Sequence, residues 1–141
     1  MSASNFLENE LLDHVLRNSA YTAPATVYCA LFTAGDSAGL TAENLEAGTL
    51  TDEVTDSGTA YARQAITFGS AASNGSISNT ATITFPTATA DYGTVEYVAI
   101  MDSATVGAGN CLYYGSLTVA KQISGGDQFV INTGSLTVTL A

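Results

Sequence analysis

His14 is the only histidine in the chain and the first residue to weigh for general acid–base chemistry. It lies in a stretch that reads as an amphipathic helix, beside an apolar stripe and with no recognisable partner, so a structural or surface role is expected. Serines are many, but none sits in Gly-x-Ser-x-Gly, and a Ser-His-Asp triad would have to recruit His14 from a helix edge. Carboxylates need less company, because a glycosidase works with two. Asp52, Glu53, Asp91, Glu96, Asp102 and Asp127 are the candidates. Asp91, Asp102 and Asp127 fall at the ends of expected strands, where Asp favours turns. With no Trp, only Tyr and Phe remain as platforms for a sugar ring. Cys29 and Cys111 with one histidine do not make a zinc site. They are expected as small buried hydrophobes, with a disulfide left open. Gly125-Gly126-Asp127 lacks the lysine and the following helix of a phosphate loop, and no tight Asp-x-Asp-x-Asp-Gly loop offers itself to calcium. The residues therefore point to no catalytic group, no cofactor and no metal.

The charge balance narrows the partners. Thirteen acids stand against Arg17, Arg63 and Lys121, giving a net charge of −10 on 141 residues. Nucleic acid is excluded as a partner, since phosphate binding needs clustered Lys and Arg. An anionic membrane surface is disfavoured by the same sign. Apolar residues make up 46% and charged residues 11%, which suits a protein that covers much of its surface against partners. The first residues lack the basic and apolar regions of a signal peptide, no apolar run is long enough to span a bilayer, and folding in a reducing cytoplasm is expected. Cations are so few that Arg63 and Lys121 each invite an ion pair, most simply a surface one.

The positioning elements follow from periodicity. Residues 5–18 read as the one convincing helix, with Asn5 as N-cap, Glu8 three residues on, acids early and Arg17 late. Leu7, Leu11, Leu12, Val15 and Leu16 form its apolar stripe. Residues 26–33 alternate as a strand after Pro24. Residues 34–59 carry six acids, Asp36, Glu43, Glu46, Asp52, Glu53 and Asp56, no base and no strand pattern. They read as an acidic irregular arm, solvated or partner-binding, with a helical turn at 41–45. Strands are expected at 60–68 and 77–85, joined as a hairpin through the Gly/Ser/Asn turn at 69–76, and again at 94–101. Residues 111–118, Cys-Leu-Tyr-Tyr-Gly-Ser-Leu-Thr, have bulky residues on both sides, which places this strand in the middle of a sheet covered on both faces. Residues 127–132 and 135–140 close the chain as a second hairpin. The expected fold is a single mainly-β domain over residues 1–141, an antiparallel β-sandwich or jelly-roll-like barrel with one N-terminal amphipathic helix.

Asn5-Phe-Leu-Glu-Asn-Glu-Leu-Leu-Asp-His14, Tyr21-Thr-Ala-Pro-Ala-Thr-Val-Tyr28, Ala30-Leu-Phe-Thr33, Tyr61-Ala-Arg-Gln-Ala65 and Leu112-Tyr-Tyr-Gly-Ser-Leu-Thr118, in this order and spacing, resemble a family of small structural proteins of tailed bacteriophages. Its members are labelled tail-fibre or virion structural proteins. Size and β-rich character are also similar to small capsid cement, or decoration, proteins. The resemblance implies a virion component. The leading expectation is a cement protein that binds the outside of the assembled capsid non-covalently, its partners being the major capsid protein and copies of itself as a dimer or trimer. The alternative is a tail or tail-fibre component, with receptor or glycan binding as a variant. No catalytic residue carries over. Leu7, Leu11 and Val15 of the helix, Asp36, Glu43, Glu46, Asp52 and Glu53 of the arm, and Arg63 are the candidate partner contacts.

Overall fold

The computed structural model describes residues 1–34, 41–69 and 72–140. Its helix α1 (Asn5–Leu16) starts from Ser4 rather than Asn5. The Ser4 hydroxyl accepts from the Leu7 N–H at 3.3 Å and donates to the Cys111 carbonyl, while the Ser4 N–H donates to the Leu112 carbonyl at 2.9 Å. One buried serine thus caps the helix and ties it to the start of a strand 107 residues away. At the other end Asn18 turns left-handed, φ 56°, and the helix stops at Leu16 instead of residue 18.

Five strands make the main sheet: β1 (Ser2–Ala3), β2 (Val27–Thr33), β3 (Gln64–Ile66), β6 (Gly93–Met101) and β7 (Cys111–Ile123). All pairs are antiparallel, in the order β1-β7-β6-β2-β3. The middle strand is therefore β6, and the expectation for residues 111–118 is corrected. β7 has only the two residues of β1 beyond it, against Tyr113 and Tyr114. It also runs past residue 118 to Ile123. Its pairing with β6 breaks on the way: Tyr97 faces Ser116 and Val95 faces Lys121, so Leu117, Thr118, Val119 and Ala120 stand against Glu96 alone. These four residues form a long bulge.

A ribbon covers one face of the sheet. β4 (Ser76–Ser78) pairs with β9 (Thr137–Thr139), and β5 (Ile83–Thr84) pairs with β8 (Val130–Ile131). The two hairpins expected from sequence proximity are thereby corrected, since residues 76–84 pair with 130–139 instead of each chain segment folding on its neighbour. Buried Asn79 bridges the break between the two ladders. Its side chain donates to the Ala81 and Asn132 carbonyls and accepts from the Leu136 N–H at 2.9 Å. Between sheet and ribbon lies the larger core, with Leu31, Val95, Val98, Ile100 and Leu112 on one side and Ile83, Phe85, Phe129, Ile131 and Val138 on the other. Phe85 anchors it, stacked on Tyr61 at 6.0 Å and edge-on to Phe129 at 5.8 Å.

The opposite face of the sheet carries Ala30, Phe32, Ala99, Met101 and Cys111, and α2 (Thr41–Glu46) closes it with fully buried Leu45. Burying such a leucine contributes about 2 kcal/mol. Residues 52–54 then run beside the end of β2 where β3 does not reach, with Thr33 N–H to the Asp52 carbonyl and Val54 N–H to the Leu31 carbonyl, both at 3.0 Å. The expected irregular arm is thus corrected over its described part: it is a third layer, recruited because the second face of β2 and β6 is as apolar as the first. No helix among the described residues is long and apolar enough to cross a membrane.

Sheet and ribbon are stitched on one side only. The Thr80 N–H donates to the Thr67 carbonyl at 2.8 Å, and the Gly69 N–H to the Thr80 hydroxyl at 3.1 Å. On the other side no ladder joins β7 to β8 or β9 among the described residues. The fold is a mainly-β antiparallel sandwich open along this seam, not a closed barrel.

Candidate functional site

Arg63 was read as one of two cations free to form a surface pair. It is buried instead, with its partner Glu53, and the two side chains are 0% and 2% exposed. The Arg63 Nε and Nη2 donate to the two Glu53 oxygens, each at 2.7 Å. Its Nη1 donates to the Ser103 and Ala108 carbonyls at 2.8 Å, and Glu53 also accepts from the Tyr61 hydroxyl at 3.1 Å and the Gly107 N–H at 2.8 Å. The cluster clamps the 102–110 connection onto the third layer. Such a fully bonded fork satisfies a buried charge. Burial, with the Glu53 carboxylate beside it, raises the Tyr61 hydroxyl far above its ordinary range, so Tyr61 stays a neutral donor.

Four of the other candidate carboxylates, Asp52, Asp91, Asp102 and Asp127, brace the chain around them. Asp52 is buried and accepts from the Thr41 hydroxyl and the Asn44 amide at the start of α2. Asp102 accepts from both the backbone and the amide of Asn110, Asp91 from the Gly125 N–H, and Asp127 from the Ser124 N–H. Asp102 and Asp127 each hold their own turn, Asp52 ties α2 to the segment after it, and Asp91 joins its loop to the 124–127 turn. His14 is exposed, and its Nδ1 lies 2.9 Å from the Ser19 carbonyl. Cys29 and Cys111 are free thiols buried on opposite faces of the sheet, and burial pushes both up to about 12. At that value neither is a thiolate near neutrality.

The expected partner contacts divide accordingly. Leu7 is buried in the core, Leu11 is half-buried against it, and Asp52, Glu53 and Arg63 hold the chain to itself. Asp36 lies outside the described residues. Glu43 and Glu46 are exposed on α2, with Glu46 accepting from the Tyr114 hydroxyl at 3.4 Å. Val15 is 73% exposed and continues an apolar face with Leu12 and Leu16. The stripe of α1 is thus shared: Leu7 and Leu11 dock the helix on the body, and its adjoining half faces outward.

A second surface escaped the sequence reading. Along the open seam runs a groove of about 910 Å³ between β7 and the ribbon, lined by residues such as Tyr97, Gly115, Val119, Lys121, Val130 and Leu136. Its signal was the apolar, uncharged run Gly115-Ser-Leu-Thr-Val-Ala120. The expected strand ends at residue 118 within that run, because a bulge is invisible to alternation.

The β-body thus has turns braced by carboxylates and two outward apolar surfaces, the α1 face and the seam groove. The chain matches the family described as Podophage GP4 fiber I protein gp80 over residues 2–139, and it belongs to that family of phage fibre and virion structural proteins. Comparison with curated proteins gave no match.

Proposed function

We propose that the chain is a structural component of a phage fibre, acting by non-covalent contact with other virion proteins and with copies of itself, and not by catalysis. The match of residues 2–139 to a family described as a fibre protein carries this reading. The architecture supports it. A prefolded body with its turns tied by Asp52, Asp102, Asp91 and Asp127 binds with little ordering cost. Leu12, Val15 and Leu16 offer it an apolar contact.

A second reading, a cement protein on the outer capsid surface with the major capsid protein as partner, rests on the same exposed face of α1. Many weak copies on a repeating lattice gain avidity from valency. Immunogold labelling of intact virions, with copy number by quantitative mass spectrometry, separates the two. Label on the tail at low copy number is the expected result. Label over the head at tens to hundreds of copies would overturn the fibre reading in favour of cement.

A further inference from the structure

The open seam presents two unpaired strand edges facing one groove. On one side, β1 pairs only with Tyr113 and Tyr114, and Met1 packs over Gly115, so among the described residues no strand pairs with the outer edge of β7 from Ser116 onward. On the other side, β8 and β9 pair only with β5 and β4. Between them the bulge Leu117–Ala120 projects from the β6 ladder with Val119 62% exposed. A free edge beside an apolar groove is a template for strand addition. A lysine and a bulge are also common guards against such pairing, but here the bulged residues Leu117–Ala120 are uncharged and leave Lys121 as the one charged side chain lining the groove.

We propose that the seam is the site of a twofold self-association, in which the β7 edge of one copy pairs antiparallel with the β7 edge of a second and each bulge seats Val119 in the groove of the other. Knob and groove lie on the same strand, so the contact is self-complementary and closes after two copies. Charge selects the same place. None of the groove-lining residues is an Asp or Glu, although the chain has thirteen, and Lys121 lies on its rim. An acid-free lining lets two acidic bodies approach with less repulsion, although Glu96 stands opposite the bulge on β6. The inference does not depend on whether the virion carries the protein in its head or its tail.

Sedimentation equilibrium of the full chain, with amide hydrogen exchange at low and high protein concentration, tests it. The wild type is expected to be a dimer at roughly 100 μM, with slowed exchange at residues 116–122 as concentration rises. Val119→Asp is expected to be monomeric with an unchanged circular dichroism spectrum and melting temperature, because the side chain it replaces is exposed. Thr118→Asp, also at an exposed bulge position, serves if Val119→Asp fails to fold. A monomeric wild type at that concentration, protection that falls elsewhere, or a dimer that survives Val119→Asp and is lost in Leu16→Glu would overturn the proposal, the last placing the contact on α1.

Discussion

At the scale of single residues, the Glu53–Arg63 pair is the costliest to disturb. Glu53→Gln or Arg63→Met alone is expected to lower stability by about 3–5 kcal/mol, since each leaves a charge or its donors buried without a full partner. The double variant should lose less than the sum of the two, which urea denaturation of the four proteins would show. The buried thiols set a second expectation. Burial raises Cys29 and Cys111 from 9.0 to about 12. The folded state therefore keeps protons that the unfolded state releases, and stability is full below pH 9 and falls as pH rises towards 12. Burial raises the hydroxyls of Tyr21, Tyr92, Tyr113 and Tyr114 in the same direction. The urea midpoint should drop between pH 9 and pH 11, and Cys29→Ala should flatten the drop. In the sequence, Arg63 stood out by scarcity alone. Its burial did not, because two of its acceptors, the Ser103 and Ala108 carbonyls, lie 40 and 45 residues further on.

Among the elements, the ribbon depends on its turn and its break. Asn74 and Gly75 both have positive φ, 52° and 71°, and the Ser73 and Ser76 backbones exchange two 3.0 Å hydrogen bonds across them. Those are the dihedrals of a tight two-residue turn, closed by an isolated Ser73–Ser76 bridge at the start of β4. A side chain on Gly75 would also meet the Leu140 carbonyl oxygen at 2.8 Å, whereas one on Gly107, φ 72°, would meet nothing within 4 Å. Gly107→Ala should therefore cost about 1 kcal/mol of backbone strain, and Gly75→Ala more, read as the difference between two thermal melts. Asn79→Ala leaves the Leu136 N–H without its acceptor and should cost about 1–3 kcal/mol, with hydrogen exchange quickening at 130–139. Helix α1 and most strand positions were legible because alternation and the 3.6 period are local. Pairing was not. The sequence places 60–68 next to 77–85, but the apolar sides of 76–84 and 130–139 both face the large sheet, and covering that sheet decides which strands meet. The helix start was misread by one residue for a similar reason, since Ser4 is selected by the Cys111 carbonyl as much as by the helix.

For the whole molecule, the outward half of the α1 stripe, Leu12, Val15 and Leu16, serves assembly contacts rather than folding under the proposed function. Leu16→Glu is expected to leave the melting temperature within about 1 °C of wild type, as a surface change does, while reducing the copy number on virions produced by complementation. Loss of the fold in that variant would instead make the face part of the core. The acidic arm was where sequence and structure diverged most. Six acids without a base suggested a solvated excursion, yet Leu45, Val54 and Asp52 are buried and the segment completes a three-layer body. Acids on one face of a segment do not reveal whether the other face has a sheet to cover.

The three basic residues also decide how the protein meets trypsin. Arg63 is sealed inside the clamp, so a native digest has two places to begin. One is Arg17, whose side chain is 73% exposed at the end of α1, and the other is Lys121 on the seam. Cleavage after Arg17 severs the link from helix to body while Ser4 still holds the helix to β7. Cleavage after Lys121 parts the β7 hairpin from the ribbon strands that follow. Protease resistance of the particle-bound protein therefore comes down to two peptide bonds, and the fragment masses tell which of them a neighbour shields.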